Sequence, residues 1–165
     1  MAKKGNYVYN WPRPMVAVDI AVFSFRHGRP QVLLIKRAKP PFKGQWALPG
    51  GFVDIDEELI DAAARELAEE TGLTGVPLRQ LRTFGNVGRD PRGRCISVVF
   101  TGVAPNTPVK GADDAEQARW FDLQKLPARL AFDHDQVLAC AVARLKRTRA
   151  YRQHCTNKPK AKASL

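Results

Sequence analysis

Three glutamates, Glu66, Glu69 and Glu70, stand at i, i+3 and i+4, the spacing that puts side chains on one face of an α-helix. Like charges about 4 Å apart repel by roughly 4 kcal/mol per pair at an effective dielectric of 20, so such an edge calls for cations. Hard divalent ions answer that need, because Mg²⁺ or Mn²⁺ prefers carboxylate and carbonyl oxygens, keeps water, and bridges protein carboxylates to substrate phosphates. Gly50-Gly51 precedes the run and offers backbone carbonyls at close approach; Glu57 and Arg65 are spaced to pair, and Gly72 closes the segment. The chemistry expected of this set is metal-assisted hydrolysis at phosphorus.

A helix over residues 57–71, with Asp54 or Asp56 as N-cap, has to carry these groups. Leu59, Ala63 and Leu67, with the small Ala64 and Ala68, let it pack closely against a sheet while the acidic edge faces a cavity. Strands are expected at 15–25, at Val32–Ile35, in short pieces between Trp46 and Val53, at Leu78–Phe84, at Cys95–Val103 and at Arg119–Phe121. Along the first, Val16, Val18, Ile20 and Val22 alternate with Ala17, Asp19 and Ala21 as in a half-buried strand, but Phe23, Ser24 and Phe25 break the pattern, as if both faces were covered. Asp133-x-x-Gln136 has the form of a capping box, and Val137, Leu138, Ala141, Val142 and Leu145 fall on one helical stripe. The order of elements gives one domain of mixed α and β, a mixed sheet between helices.

Composition narrows the class. The chain has 165 residues, 44% hydrophobic and 26% charged, with no apolar run approaching the roughly 18 residues of a membrane span and no N-terminal secretory pattern, so a cytoplasmic protein is expected. Cys95, Cys140 and Cys155 are too scattered for a disulfide framework or a zinc site. Of the net charge of +11, eight units come from basic residues after Gln136, where there is no acidic residue, leaving +3 for residues 1–135. Residues 146–165 are therefore expected to be a solvated, disordered basic tail, and residues 1–13 a Pro-broken lead-in to a domain over 14–145.

From Gly51 to Leu73 the chain reads G-x5-E-x7-R-E-U-x-E-E-x-G-U, with U apolar, and in this it resembles the Nudix hydrolases without a departure. The resemblance implies an α/β/α sandwich that binds Mg²⁺, with Mn²⁺ as a possible substitute, and hydrolyses a nucleoside diphosphate linked to another group. It implies that Glu66, Glu69 and Glu70 hold the metal with the Gly50 carbonyl, that Glu57 and Arg65 support them, and that the general base is Glu69 or Glu116. Pro41–Val53, Arg89–Arg94 and Ala131–His134 look like the ADP-ribose branch, whose substrate is cleaved to AMP and ribose 5-phosphate, whereas Asn86-Val87-Gly88 departs from that branch. Nudix regulators of NAD metabolism in the same branch add a C-terminal winged-helix domain, for which 165 residues leave no room.

Candidate substrate contacts are the guanidinium forks of Arg37, Arg89 and Arg92, with Arg94 beside them, and the Asp19 carboxylate as acceptor from adenine or ribose. Trp11, Trp46 and Phe84 are possible stacking surfaces, each equally suited to a core, and His134 suits a local hydrogen bond better than metal binding. Two other readings stay open: sanitation of oxidised nucleoside triphosphates, and a non-enzymatic module that senses ADP-ribose or binds nucleic acid weakly through the basic tail. The expected partner is a small nucleotide, without a membrane; a homodimer is possible by analogy with relatives that handle ADP-ribose.

Overall fold

The computed structural model describes residues 9–111 and 115–155. The chain forms β1 (Met15–Arg26), β2 (Arg29–Arg37), β3 (Trp46–Ala47), β4 (Gly50–Phe52), α1 (Leu59–Thr71), β5 (Arg79–Phe84), β6 (Cys95–Val103), β7 (Ala115–Asp122), α2 (His134–Leu145) and α3 (Arg149–Cys155). All seven strands join one mixed sheet in which β3, β2, β1, β6 and β5 lie in that order, β4 pairs with β1, and β7 pairs with β2. The β1–β6 pair is parallel, from Met15 opposite Cys95 to Phe23 opposite Val103, and the other strand pairs are antiparallel. His27 and Gly28, both at positive φ, make the two-residue turn from β1 to β2, the sign that a type I′ hairpin needs.

β1 is the axis of the fold. Its Val18, Ile20 and Val22 meet Ala62, Ala63 and Leu67 of α1 on one face, and Ala21 and Phe23 meet Val137, Leu138 and Ala141 of α2 on the other. Helices thus cover both sides of the sheet, giving the α/β/α sandwich expected from the sequence. Residues 17–24 are buried without interruption, so the half-buried reading of this strand holds for neither face. Asp19 consequently sits inside the protein, among side chains of the α2 layer.

Three local expectations change. α1 begins at Leu59 with Glu58 at the N-cap and no side-chain cap; Asp54 instead gives its backbone N–H to Glu57 Oε2 at 3.2 Å, in the loop ahead of the helix. Gly72 does close α1, in the left-handed region at φ 70°. Asp133 occupies the N-cap of α2 but makes no cap bond, because its carboxylate is held by Arg89. The part of the basic tail over Arg149–Cys155 is helical and packs on the β1–β2 hairpin, with Tyr151 against the core and the His154 ring stacked on Phe25 at 4.5 Å. Most of the lead-in, residues 1–8, and the distal tail, 156–165, lie outside the described residues.

Candidate active site

The turn from β4 into α1 and the start of α2 enclose a cavity of about 600 Å³. Glu66, Glu69 and Glu70 line it from α1, with Gly50 and Gly51 beside them. Gly50 is required sterically, since a Cβ there would collide with the Val18 carbonyl oxygen, whereas a Cβ on Gly51 would meet the carboxylate end of the Glu66 side chain and displace it from its present position. Gly50 also has φ 155°, a conformation reserved for glycine. Its backbone N–H donates to Glu70 Oε2 at 2.9 Å, which ties the loop to the helix.

Arg65 binds most of the acidic edge. Its Nε and Nη2 hold Glu57 bidentately at 2.7 and 2.8 Å, its Nη1 reaches Glu66 at 2.8 Å and Glu69 at 3.1 Å, and Nη2 also donates to the Phe52 carbonyl. These bonds hold Glu57 below the usual carboxylate range and raise Arg65 further above its own. Burial pushes the Glu66 carboxyl up, and the charges of Glu69 and Glu57 add to that against the opposing pull of Arg65. Among the described residues no three His, Cys, Asp or Glu side chains close on one point as metal ligands do. The expected convergence of three carboxylates is therefore a shared wall: Glu66 and Glu69 turn to Arg65, and Glu70 turns to Gly50. The donor set still fits a hard divalent cation, being carboxylate oxygen throughout on one cavity wall.

Across the sheet from α1, Asp19 is the centre of a buried network. Its Oδ2 accepts from Ser97 Oγ at 2.5 Å and Arg89 Nη2 at 3.1 Å, and its Oδ1 lies 3.3 Å from His134 Nε2. Arg89 binds Asp133 through Nε at 3.0 Å and Nη2 at 2.7 Å. Burial alone would raise the Asp19 carboxyl, but the neighbouring His134, Arg89 and Ser97 outweigh it and hold it well below the usual carboxylate range. Stability from a depressed carboxylate is present at neutral pH and drains away as pH falls from the free-Asp value of about 4 downward. Melting temperatures between pH 7 and 3 should therefore fall more steeply at the acid end for the wild type than for Asp19→Asn; equal slopes would contradict this.

These contacts revise two substrate candidates. Arg89, its side chain 4% exposed, has its fork occupied by two aspartates, and the Asp19 oxygens are held by three neighbours, so both brace the cavity wall in place of presenting a free donor or acceptor. Arg92 does line the cavity, with its Nε and Nη2 held by Asp90 at 3.0 and 2.7 Å and its guanidinium 4.7 Å from the centre of the Phe52 ring. Arg37 also lines it, bonded to the Pro41 carbonyl at 2.8 Å and 5.0 Å from the Phe132 ring centre. Glu116 is not in the cavity wall; it stands on β7 in an ion pair with Lys36 at 3.2 Å, and residues 112–114 before it lie outside the described residues. Arg94 caps the Gly85 carbonyl.

Trp11 is exposed, while Trp46 and Phe84 pack on the core against the α2 layer, so none of the three lines the cavity. The phenyl rings that do are Phe52 and Phe132, and the His134 imidazole lines it as well. The signal of the two phenylalanines in the sequence was position, one directly after Gly51 and the other two residues before His134, and an aromatic residue at either place reads equally as core.

Comparison with known proteins identifies the family. The NUDIX domain model matches residues 13–140. The chain belongs to the Nudix family, the class of hydrolases that generally use divalent metals on pyrophosphate-containing substrates. It is 44% identical over 125 residues to an ADP-ribose pyrophosphatase of Methanocaldococcus jannaschii, covering 76% of this chain and 71% of that one. It is 40% identical over 146 residues to the ADPR responsive transcriptional repressor NtrR of Acinetobacter baylyi, covering 86% of this chain but only 58% of the repressor. In structure it superposes with a TM-score of 0.76 and 34% identity on the NUDIX domain of Shewanella oneidensis NrtR complexed with ADP ribose, over 85% of this chain and 94% of that one.

Proposed function

We propose that this protein is a Mg²⁺-dependent hydrolase of ADP-ribose, yielding AMP and ribose 5-phosphate. The observation that carries the reading is one cavity of about 600 Å³ whose wall holds the carboxylates of Glu66, Glu69 and Glu70 together with Arg37, Arg92, Phe52 and Phe132. Such a wall suits a ligand with an anionic centre and a planar base. Likeness to an ADP-ribose pyrophosphatase and to a domain complexed with ADP ribose supports the choice of ligand.

Glu66, Glu69 and Glu70, with the Gly50 carbonyl, would hold Mg²⁺, which when bound neutralises the diphosphate and makes an attacking water more acidic. The remaining work falls to the chain. Arg65 fixes the orientation of Glu57 and Glu66. Glu69 is the general base, because its side chain is 41% exposed, its bond to Arg65 is the longest that this arginine makes to a glutamate, and Glu116 stands outside the cavity wall. It takes the proton as the water oxygen bonds to one phosphorus and the bridging P–O bond breaks. Arg37 and Arg92 bear on the substrate at the aromatic side, Arg92 through its remaining N–H groups since Asp90 holds its fork.

A binding-only reading is supported by the 40% identity to an ADPR responsive repressor and by the likeness to the NUDIX domain of NrtR complexed with ADP ribose. Turnover separates the two. Purified protein with Mg²⁺ is expected to process ADP-ribose with a kcat/KM well above that for an oxidised deoxynucleoside triphosphate, NADH or a diadenosine polyphosphate. Pyrophosphate released from the triphosphate at the higher rate would instead indicate nucleotide sanitation.

A further inference from the structure

We infer that His134 is a positioning residue for the Leu48–Gly51 segment and so for the metal-binding wall, an inference that rests on the metal-dependent reading above. His134 lies at the first turn of α2, far in sequence from the Gly51–Leu73 segment, and is buried. Its Nδ1 lies 3.0 Å from the backbone nitrogen of Leu48 and accepts that N–H. A ring nitrogen that accepts carries no proton, so the ring's hydrogen resides on Nε2, which points to Asp19 Oδ1 at 3.3 Å. The neutral ring therefore bridges β1 to the strand-loop piece that ends two residues later at Gly50.

The bridge closes a circuit. Asp19 is the residue opposite Gly50 in the β1–β4 pair, and the next residue, Ile20, gives its N–H to the Pro49 carbonyl at 2.8 Å. From Asp19 the path runs through His134 to Leu48, along Pro49 to Gly50, and back across the sheet to Asp19. Gly50 then passes its own N–H to Glu70. The far side of the circuit is anchored by Arg89, Ser97 and Asp133, with Asp133 the residue immediately before His134. Backbone that must hold φ 155° at Gly50 is kept in place from both ends, and the imidazole is the side-chain member of that restraint. Residues that orient ligand-bearing groups without touching the metal typically change its affinity or the activity by about 10- to 100-fold when removed.

The test compares wild type with His134→Leu, which removes the contacts of both ring nitrogens, and with His134→Gln, whose amide again offers a donor and an acceptor. Mn²⁺ binding to the metal-free protein is followed by loss of the free-ion electron paramagnetic resonance signal, and Leu48 amide exchange is followed in parallel. His134→Leu is expected to weaken Mn²⁺ binding about tenfold or more and to speed Leu48 exchange by a similar factor. The glutamine variant should recover most of both. At saturating metal the KM for ADP-ribose should stay within about twofold while kcat falls, since the ring, although it lines the cavity, has its two nitrogens directed to Leu48 and Asp19.

Wild-type Mn²⁺ affinity in a folded His134→Leu protein would overturn the inference and leave the proposed function standing. A folded glutamine variant that recovers nothing would overturn it too. Failure of the wild type itself to bind Mn²⁺ would instead remove the metal-dependent reading, and the inference with it. Should the leucine variant not fold, Ser97→Ala loosens the same Asp19 carboxylate and should shift both readouts in the same direction by a smaller factor, with no shift counting against the inference.

Discussion

Glu69→Gln is expected to lower the metal-dependent rate about a thousandfold while the protein folds as before. The change leaves the volume of the side chain nearly unaltered and removes one negative charge from a wall that already holds Glu66 and Glu70. Folding should survive because Glu69 is the exposed member of the set and is held by a 3.1 Å pair with Arg65, whose guanidinium keeps Glu57 and Glu66. Exposed i, i+4 pairs contribute only about 0.3–0.5 kcal/mol. Steady-state rates at saturating Mg²⁺, with a urea titration on the same preparation, separate the two quantities. A variant that turns over within a few-fold of wild type would reject Glu69 as the base, and one that unfolds would reject its place at the surface of α1.

The largest loss of stability should follow Arg89→Met. Two aspartates converge on this one guanidinium in an interior position, so its removal leaves Asp19 and Asp133 facing each other without the cation between them. Breaking a buried ion pair from one side costs about 3–5 kcal/mol, because a desolvated charge remains uncompensated. Urea midpoints at pH 7 measure the loss. A further prediction inside the same experiment is that adding Asp133→Leu to Arg89→Met recovers part of it, as one of the two stranded carboxylates disappears. A cost below about 1 kcal/mol for the single variant would mean that solvent reaches the network, contrary to its burial.

The chemistry of α1 was legible because it is local. Glu66, Glu69, Glu70, Arg65 and Glu57 lie within one helix and the loop just ahead of it, so short sequence separation brings them together, and the structure joins Arg65 to Glu57, Glu66 and Glu69, the last at helical i, i+4 spacing. The buried network was illegible for the opposite reason. Asp19, Arg89 and Asp133 are brought together by the register of β1 on β6 and by the seat of α2, neither of which a residue pattern specifies. Read alone, each had a more ordinary place: an aspartate on a strand, an arginine in a turn, a helix cap. The same gap hid α3, where Tyr151 and His154 are three residues apart and find Tyr151's core contact and the Phe25 ring only once the β1–β2 hairpin exists. Charge density had pointed to solvent for that stretch, and packing of two side chains outweighs it locally.

The most direct test of the account is product analysis of ADP-ribose incubated with the purified protein and Mg²⁺, with and without a chelator. The predicted result is AMP and ribose 5-phosphate in equal amounts, formed only when the divalent ion is available. Tight binding of ADP-ribose without any product, or release unaffected by the chelator, would contradict it.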